Sequence, residues 1–185
     1  MAKAPTVLSD FDEVALQVGW AHDRWGGVEH ELSNVYVYAL KAQYLVAALD
    51  AFYAVQSFEG KLGVAHAAVS RILASESPLL TEWEGLRERM KSKNRFRNRI
   101  AHGRIMELLI DSPRGVFWMS YYKPHQLVDA MNAAQNPLGA RNAKQKGLGH
   151  LTAKQIQNEV AEFEVLGRDI GVFAEKLRVE VGYVS

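Results

Sequence analysis

The chain contains no cysteine and no long apolar run. Without cysteine, disulfides, thiolate catalysis and cysteine-based metal sites are excluded. No stretch approaches the roughly 18 apolar residues that cross a bilayer. The first residues, Met1–Pro5, lead into acidic sequence without the apolar core of a signal peptide. These features predict a soluble, cytoplasmic protein with no membrane partner.

The sequence also lacks the short patterns typical of metal and phosphate sites. His22 and His30 are eight residues apart with acids nearby, but neither Glu-x-x-His nor His-x3-His spacing occurs. Glycine-rich phosphate loops and nucleophile elbows are absent as well. We therefore predict no metal site and no cofactor.

Charge is distributed very unevenly along the chain. The length of 185 residues and the 48% hydrophobic content suit a single compact domain spanning residues 1–185. The net charge is only +1, but the segment Arg87–Arg104 holds eight Lys or Arg residues and one acid, Glu88, and so carries +7. The remainder must then carry −6. A local excess of this kind indicates an anionic ligand.

Apolar residues recur at helical spacing in five segments. They predict helices over about 9–25, 28–57, 61–74, 80–102 and 152–181. Ser9 and Thr152 are suitable N-caps, and the pair Gly26-Gly27 predicts a break after the first helix. Between 41 and 58 the only charges are Lys41 and Asp50, so we expect both ends of that segment to be buried.

Two segments between the fourth and fifth helices differ from the rest. Residues rich in β-branched and aromatic side chains flank a turn-forming stretch, which predicts a small β-hairpin at about 104–122. Residues 132–149 are rich in Asn, Gln, Gly and Lys, which predicts a flexible loop. The predicted fold is all-α, an antiparallel helical bundle with one inserted hairpin.

The end of the fourth helix carries the most informative residues. At about 100° per residue, Trp83, Leu86 and Met90 form an apolar stripe that also contains Arg97. A charge in such a stripe requires an acid, a carbonyl or an anionic ligand. Asn98 and His102 lie together on a neighbouring face. An arginine, an amide and an imidazole at one helix end suit a phosphodiester.

Structural roles are the alternative for the same residues. His102 followed by Gly103 is a favourable helix C-terminus. Arg97 could pair with Asp50, and the remaining basic residues could be solvated surface charges that at most attract an anion. If the basic segment binds an anion instead, the residues that we predict to contact nucleic acid are Lys93, Arg95, Arg99 and Arg104.

The segment Arg97-Asn98-Arg99-Ile100-Ala101-His102 resembles the Arg-x4-6-His signature of the HEPN superfamily. The matching positions are Arg97, Asn98 and His102. The resemblance implies an all-α bundle that forms a homodimer, with the motif near a helix end. The Glu-x3-Lys pair that some members carry in their first helices does not occur here, and the hairpin is an elaboration of the family core.

This resemblance implies metal-independent endoribonuclease activity at a composite site between two subunits. Arg97 would hold the phosphate, His102 would transfer protons, and Asn98 would orient either group. The product would be a 2′,3′-cyclic phosphate, and an enzyme of this kind could act as a toxin or in defence, with an antitoxin protein as partner. Two alternatives remain. One is a non-catalytic module that binds RNA or a nucleotide, and the other is a helical dimerisation or adaptor protein.

Overall fold

Five α-helices hold most of the residues that the computed structural model describes, which are 9–108, 115–120 and 150–184. The helices are α1 (Asp10–Ala39), α2 (Leu45–Ala54), α3 (Phe58–Ile72), α4 (Pro78–Ala101) and α5 (Ala153–Glu180). Three short strands lie between α4 and α5 along the chain, β1 (Gly103–Leu108), β2 (Gly115–Ser120) and β3 (His150–Leu151). The all-α prediction is confirmed.

The three strands pair with one another. β1 is antiparallel to β2, from Gly103 opposite Ser120 to Leu108 opposite Gly115, and β2 pairs with β3 where Trp118 faces Leu151. The predicted hairpin at about 104–122 includes residues of β1 and β2. Its residues 109–114 and 121–122, and the predicted flexible loop at 132–149, lie outside the described residues.

The chain separates into two compact units. The first contains the residues up to His22 together with Phe96–Val160, and the second contains Asp23–Arg95 and Ala161–Ser185. Residues of α1, α4 and α5 occur in both units. The prediction of a single domain over 1–185 stays a prediction.

The boundary between the first two helices differs from the predicted one. Gly26 and Gly27 continue α1 without a break. Buried Trp25 and Val28 flank them, so packing outweighs a cost of about 1 kcal/mol per helical glycine. The chain turns instead after Ala39, where Lys41 adopts a positive φ of 48°. The predicted helix over 28–57 was therefore wrong and is two helices.

The segment 41–58 is buried at only one of its ends. Phe52 and Phe58 are buried, as expected, but Tyr44 is 79% exposed and Val46 is 71% exposed. The prediction that both ends are buried was therefore wrong for the N-terminal end. One side of α2, with Phe52, is buried, and apolar residues also occupy its exposed side.

Within the second unit the helices pack as a bundle in which not all neighbours are antiparallel. Along α4 and α5 the ion pairs run in opposite directions, with Lys93 beside Glu162 at 3.7 Å and Glu82 beside Lys176 at 2.9 Å. Along α1 and α5 the contacts run in the same direction. Arg24 Nε of α1 lies 3.8 Å from Glu164 in the first half of α5. The Tyr183 hydroxyl donates to the Ala42 carbonyl beyond the helix ends at 3.1 Å. In this unit α4 and α5 are therefore antiparallel, and α1 and α5 are parallel, as the first and fifth helices of a bundle of alternating direction are.

Two tryptophans organise the core of the second unit. The Trp25 ring lies 4.7 Å from the Phe58 ring and 5.0 Å from the Phe163 ring, centroid to centroid, and so connects α1, α3 and α5. Trp83 on α4 stacks on Phe173 of α5 at 5.4 Å. Aromatic pairs of this geometry add about 1 kcal/mol to the burial of their area.

A polar cluster joins α1 to α3 beside this core. The Lys61 ammonium donates to Glu29 Oε2 at 2.6 Å, and the Trp25 indole N–H donates to Glu29 Oε1 at 3.0 Å. The ammonium also lies 5.1 Å from the Tyr53 ring centroid and 5.7 Å from that of Phe52, which connects α2 to the cluster. Both side chains of the ion pair are largely buried, so each charge depends on the other.

Two predicted N-caps are confirmed in the first unit. Ser9 Oγ accepts from the Asp12 backbone N–H at 3.2 Å at the start of α1. Thr152 Oγ1 accepts from the Gln155 backbone N–H at 3.2 Å, and Gln155 Oε1 accepts in return from the Thr152 N–H at 2.9 Å. The second arrangement is a capping box, which begins α5.

We expect Lys61→Met to lower the free energy of unfolding by about 3 kcal/mol, because it leaves the Glu29 carboxylate buried without its cation. Glu29→Gln keeps an oxygen for the Trp25 indole and removes only the charge. It should be destabilising for the same reason. The double variant should be more stable than the sum of the two losses predicts. Urea denaturation measures all three, and strictly additive losses would contradict the coupling.

Candidate functional site

The register of α4 determines which of its side chains are buried. Trp83, Leu86, Met90 and Ile100 are all buried, which confirms the predicted apolar stripe. Asn94 lies on the same stripe and is only 3% exposed. The structure thus places a buried polar side chain in the stripe about two turns before the helix ends.

Arg97 follows Asn94 on that stripe and is half-buried. Its Nη1 donates to the side-chain oxygen of Asn98 at 3.2 Å. This bond keeps the two predicted site residues together. An arginine held in this way loses less side-chain entropy when it binds a phosphate.

α4 ends where the sequence predicts, but not through a glycine C-cap. Its last residue is Ala101, and the His102 backbone N–H donates to the Asn98 carbonyl at 3.2 Å. Gly103 begins β1 and does not adopt the left-handed conformation of a glycine C-cap. His102 therefore lies in the turn between helix and strand, and it is exposed.

His22 is a site residue that the sequence analysis did not identify. It is exposed on α1, yet partial desolvation lowers the pKa of its imidazole, and the nearby Arg97 guanidinium lowers this pKa further. Both residues belong to the first unit. No local pattern connects two residues 75 positions apart, so no sequence signal could have found this neighbour. A lowered pKa keeps the imidazole of His22 neutral near physiological pH.

The eight basic residues of Arg87–Arg104 divide into two groups. The first four each lie beside a carboxylate at 2.7 to 3.7 Å. The pairs are Arg87–Glu84, Arg89–Asp169, Lys91–Glu88 and Lys93–Glu162. The first half of the predicted +7 surface is thus largely neutralised. For Lys93, nucleic-acid contact remains a prediction that requires exchange of its acid.

The second group occupies the end of α4 and the start of β1. Arg95 and Arg104 are exposed, while Arg99 is half-buried with its guanidinium 5.8 Å from the Phe96 ring centroid. Together with Arg97 these residues place four cationic side chains within ten positions. This density of positive charge favours an anionic ligand near the C-terminal end of α4.

The structural alternative for Arg97 assigned it to Asp50. Asp50 is exposed on α2, so its carboxylate is solvated and no burial cost requires it to have a cation. The proximity of Arg97 and His22 has the opposite character. Two basic groups that lie close together disfavour each other's charge, and an anion between them relieves this cost.

The metal prediction concerns His22, His30 and their acidic neighbours. No group of three potential metal ligands occurs within residues 9–108, 115–120 and 150–184. In the same ranges no helix is long and apolar enough to cross a membrane.

We expect Arg97→Gln to raise the pKa of His22, because it removes the guanidinium charge that opposes protonation. Inorganic phosphate should raise this pKa in the unsubstituted protein and much less in the variant. NMR titration of the His22 ring protons measures both effects.

In the folded state the pKa of His22 lies below the ordinary 6.5, so the unfolded state binds more protons. His22 therefore lowers stability as pH falls below about 6.5. A pKa that is unchanged in Arg97→Gln would contradict the assigned neighbourhood.

Comparison of the chain with protein-family models, with curated proteins and with solved structures finds no match. What the chain does is therefore inferred from the placement of its own residues.

Proposed function

We propose that the chain binds RNA at the C-terminal end of α4 and, as a homodimer, cleaves it there without a metal ion. The observation that carries the proposal is that the Arg97 guanidinium, which donates to Asn98, lies near enough to His22 to lower the pKa of that imidazole. A fixed cation and a proton acceptor are the two groups that cleavage of a phosphodiester needs most. Exposed His102 closes the same helix and supplies a second imidazole.

The substrate that fits these groups is RNA. Its 2′-hydroxyl is an internal nucleophile, so the protein has to supply only proton transfer and charge stabilisation. In the proposed reaction the 2′-oxygen attacks the adjacent phosphorus and its proton passes to the neutral imidazole of His22. The bond to the 5′-oxygen breaks, and His102 of either copy protonates that oxygen. The products are a 2′,3′-cyclic phosphate and a 5′-hydroxyl.

Arg97 has the electrostatic role in this proposal. The two non-bridging oxygens gain negative charge as the phosphorus becomes five-coordinate, and the forked guanidinium can donate to both. The bond to Asn98 Oδ1 at 3.2 Å would hold the guanidinium in place. Arg95, Arg99 and Arg104 would hold the flanking phosphates. A ribonuclease of this kind endangers the cell that makes it, so a neutralising antitoxin protein belongs to the proposal.

We expect the protein to cleave single-stranded RNA in the presence of EDTA. Arg97→Gln and His102→Ala should each lower the rate by about 100-fold or more. Arg89→Gln is the matched control for Arg97→Gln, because Arg89 is an arginine of the same helix whose charge already pairs with Asp169. Its rate should be unchanged. Gel electrophoresis follows the RNA fragments, and the response of their ends to phosphatase identifies the products.

The pH profile tests the assignment of the base. The rate should fall as His22 becomes protonated, and Arg97→Gln should shift this acidic limb to higher pH because the pKa of His22 rises. RNA binding without cleavage in any variant would favour the non-catalytic module. If Arg97→Gln lowers only thermal stability and RNA does not bind at moderate salt, the adaptor alternative is correct.

Salt dependence separates the two groups of basic residues. Arg95→Gln removes an exposed cation and should reduce the slope of log affinity against log salt by about 0.7 for single-stranded RNA. Lys91→Gln should reduce it by less, because Lys91 already pairs with Glu88 at 2.7 Å. Fluorescence anisotropy with labelled RNA at several salt concentrations gives both slopes. Equal slopes for the two variants would contradict a site at the end of α4.

A further inference from the structure

One ring nitrogen of His66, on α3, has three polar neighbours. The indole N–H of Trp83, on α4, donates to His66 Nδ1 at 3.2 Å. Glu84 Oε1 lies 3.4 Å from the same nitrogen, and Ser70 Oγ lies 3.3 Å from it. Trp83 is fully buried, whereas the side chain of Glu84 is 42% exposed. A single nitrogen thus lies between a buried indole of the core and a carboxylate at the surface.

The protonation state of this imidazole determines which neighbour Nδ1 can bind. An indole N–H only donates, so its bond to Nδ1 requires the neutral ring with the proton on Nε2. In the charged ring Nδ1 carries a hydrogen and can no longer accept from Trp83. It can donate that hydrogen to Glu84 instead, whose negative charge stabilises the charged ring. The bonds of Nδ1 to Trp83 and to Glu84 therefore exclude each other.

The other groups around His66 support this exchange of partner. Arg87 Nη1 donates to Glu84 Oε2 at 2.8 Å, which holds the carboxylate while its other oxygen faces His66. Within the described part of the chain no second carboxylate forms an ion pair with His66. Ser70 is exposed, and its hydroxyl can donate to the neutral ring or accept from the charged one. Ser70 therefore suits both states, and Glu84 is the specific partner of the charged state.

We propose that His66 is a pH-dependent switch between α3 and α4. Histidine is the side chain whose charge ordinarily changes between about pH 5 and about pH 8. When His66 gains a proton, Nδ1 exchanges the Trp83 indole for the Glu84 carboxylate. The indole N–H then loses its acceptor inside the core. A buried donor without an acceptor costs free energy, so the charged state favours a shifted Trp83 ring.

Trp83 transmits this change to α5. Its ring stacks on Phe173 with the centroids 5.4 Å apart. A shift of the ring therefore alters the contact of α4 with α5 as well as its contact with α3. All of these residues belong to the second unit. The inference is thus independent of the Arg97 site and holds whether or not that site cleaves RNA.

The first experiment follows the Trp83 indole N–H by NMR from about pH 8 to about pH 5. In the unsubstituted protein its proton signal should move upfield, because the hydrogen bond to Nδ1 is lost, with the same midpoint as the His66 ring protons. His66→Asn keeps an acceptor oxygen near the position of Nδ1 and does not titrate there, so the signal should stay in place. His30→Asn is the matched control, since His30 is exposed on α1. It should leave the movement unchanged.

The second experiment changes the partner of the charged ring. Glu84→Gln removes the negative charge that stabilises charged His66, so the Trp83 signal should move at a lower pH than in the unsubstituted protein. Because Glu84 is 42% exposed, this variant should fold, and the test does not depend on the stability of His66→Asn. Glu162→Gln is the matched control, since it removes an acid of α5 that pairs with Lys93. Its midpoint should be unchanged.

Three results would overturn the inference. The first is a Trp83 signal that stays in place while the ring of His66 titrates. The second is the same movement of this signal in His66→Asn as in the unsubstituted protein. The third is an unchanged midpoint in Glu84→Gln. All three are measured without RNA, so failure here and failure of the proposed function are distinguishable.

Discussion

The arrangement of the candidate site depends on α4 being one uninterrupted helix. Trp83 is buried against Phe173, and Leu86 and Met90 continue the same stripe. Once these side chains fix the rotation of α4, the positions of Asn94 and Arg97 along it follow at three- and four-residue steps. Arg97 is half-buried, so its guanidinium is less screened by water than that of a fully exposed arginine. A proline or glycine between Met90 and Arg97 would interrupt the helix, so the buried side chains would no longer determine the position of Arg97.

Helices could be predicted from the sequence more reliably than their ends. Periodicity identified the helical segments because a buried stripe repeats over many turns, although it divided α1 and joined part of it to α2. The turn at Lys41 could not be predicted, since no glycine or proline marks a residue with positive φ there. Gly26 and Gly27 gave a false break because propensity is a weak local term and the packing of Trp25 and Val28 is stronger.

The candidate site likewise contains residues whose proximity follows from the local sequence and residues whose proximity depends on tertiary packing. Arg97, Asn98 and His102 lie within six residues on one helix end, so their proximity could be predicted from helical geometry. His22 reaches Arg97 only through tertiary packing, and only the structure could identify it. The partners of Arg89 and Lys93 on α5 were equally out of reach. A count of basic residues therefore overestimated the charge that is available to a ligand, because at least four of those side chains already pair with acids.

Two segments of the chain differ in physical character, although the acids elsewhere bring the net charge close to zero. The end of α4 concentrates cations, whereas the segment that contains α2 has one charge of each sign, Lys41 and Asp50. Contacts of the first kind weaken as salt rises, because an anionic ligand then competes with dissolved ions. Apolar contacts of the second kind do not weaken in this way and are strengthened by sulfate. Salt therefore separates the two kinds of contact: binding that weakens as salt rises depends on the cations at the end of α4, and contacts that persist in sulfate are apolar.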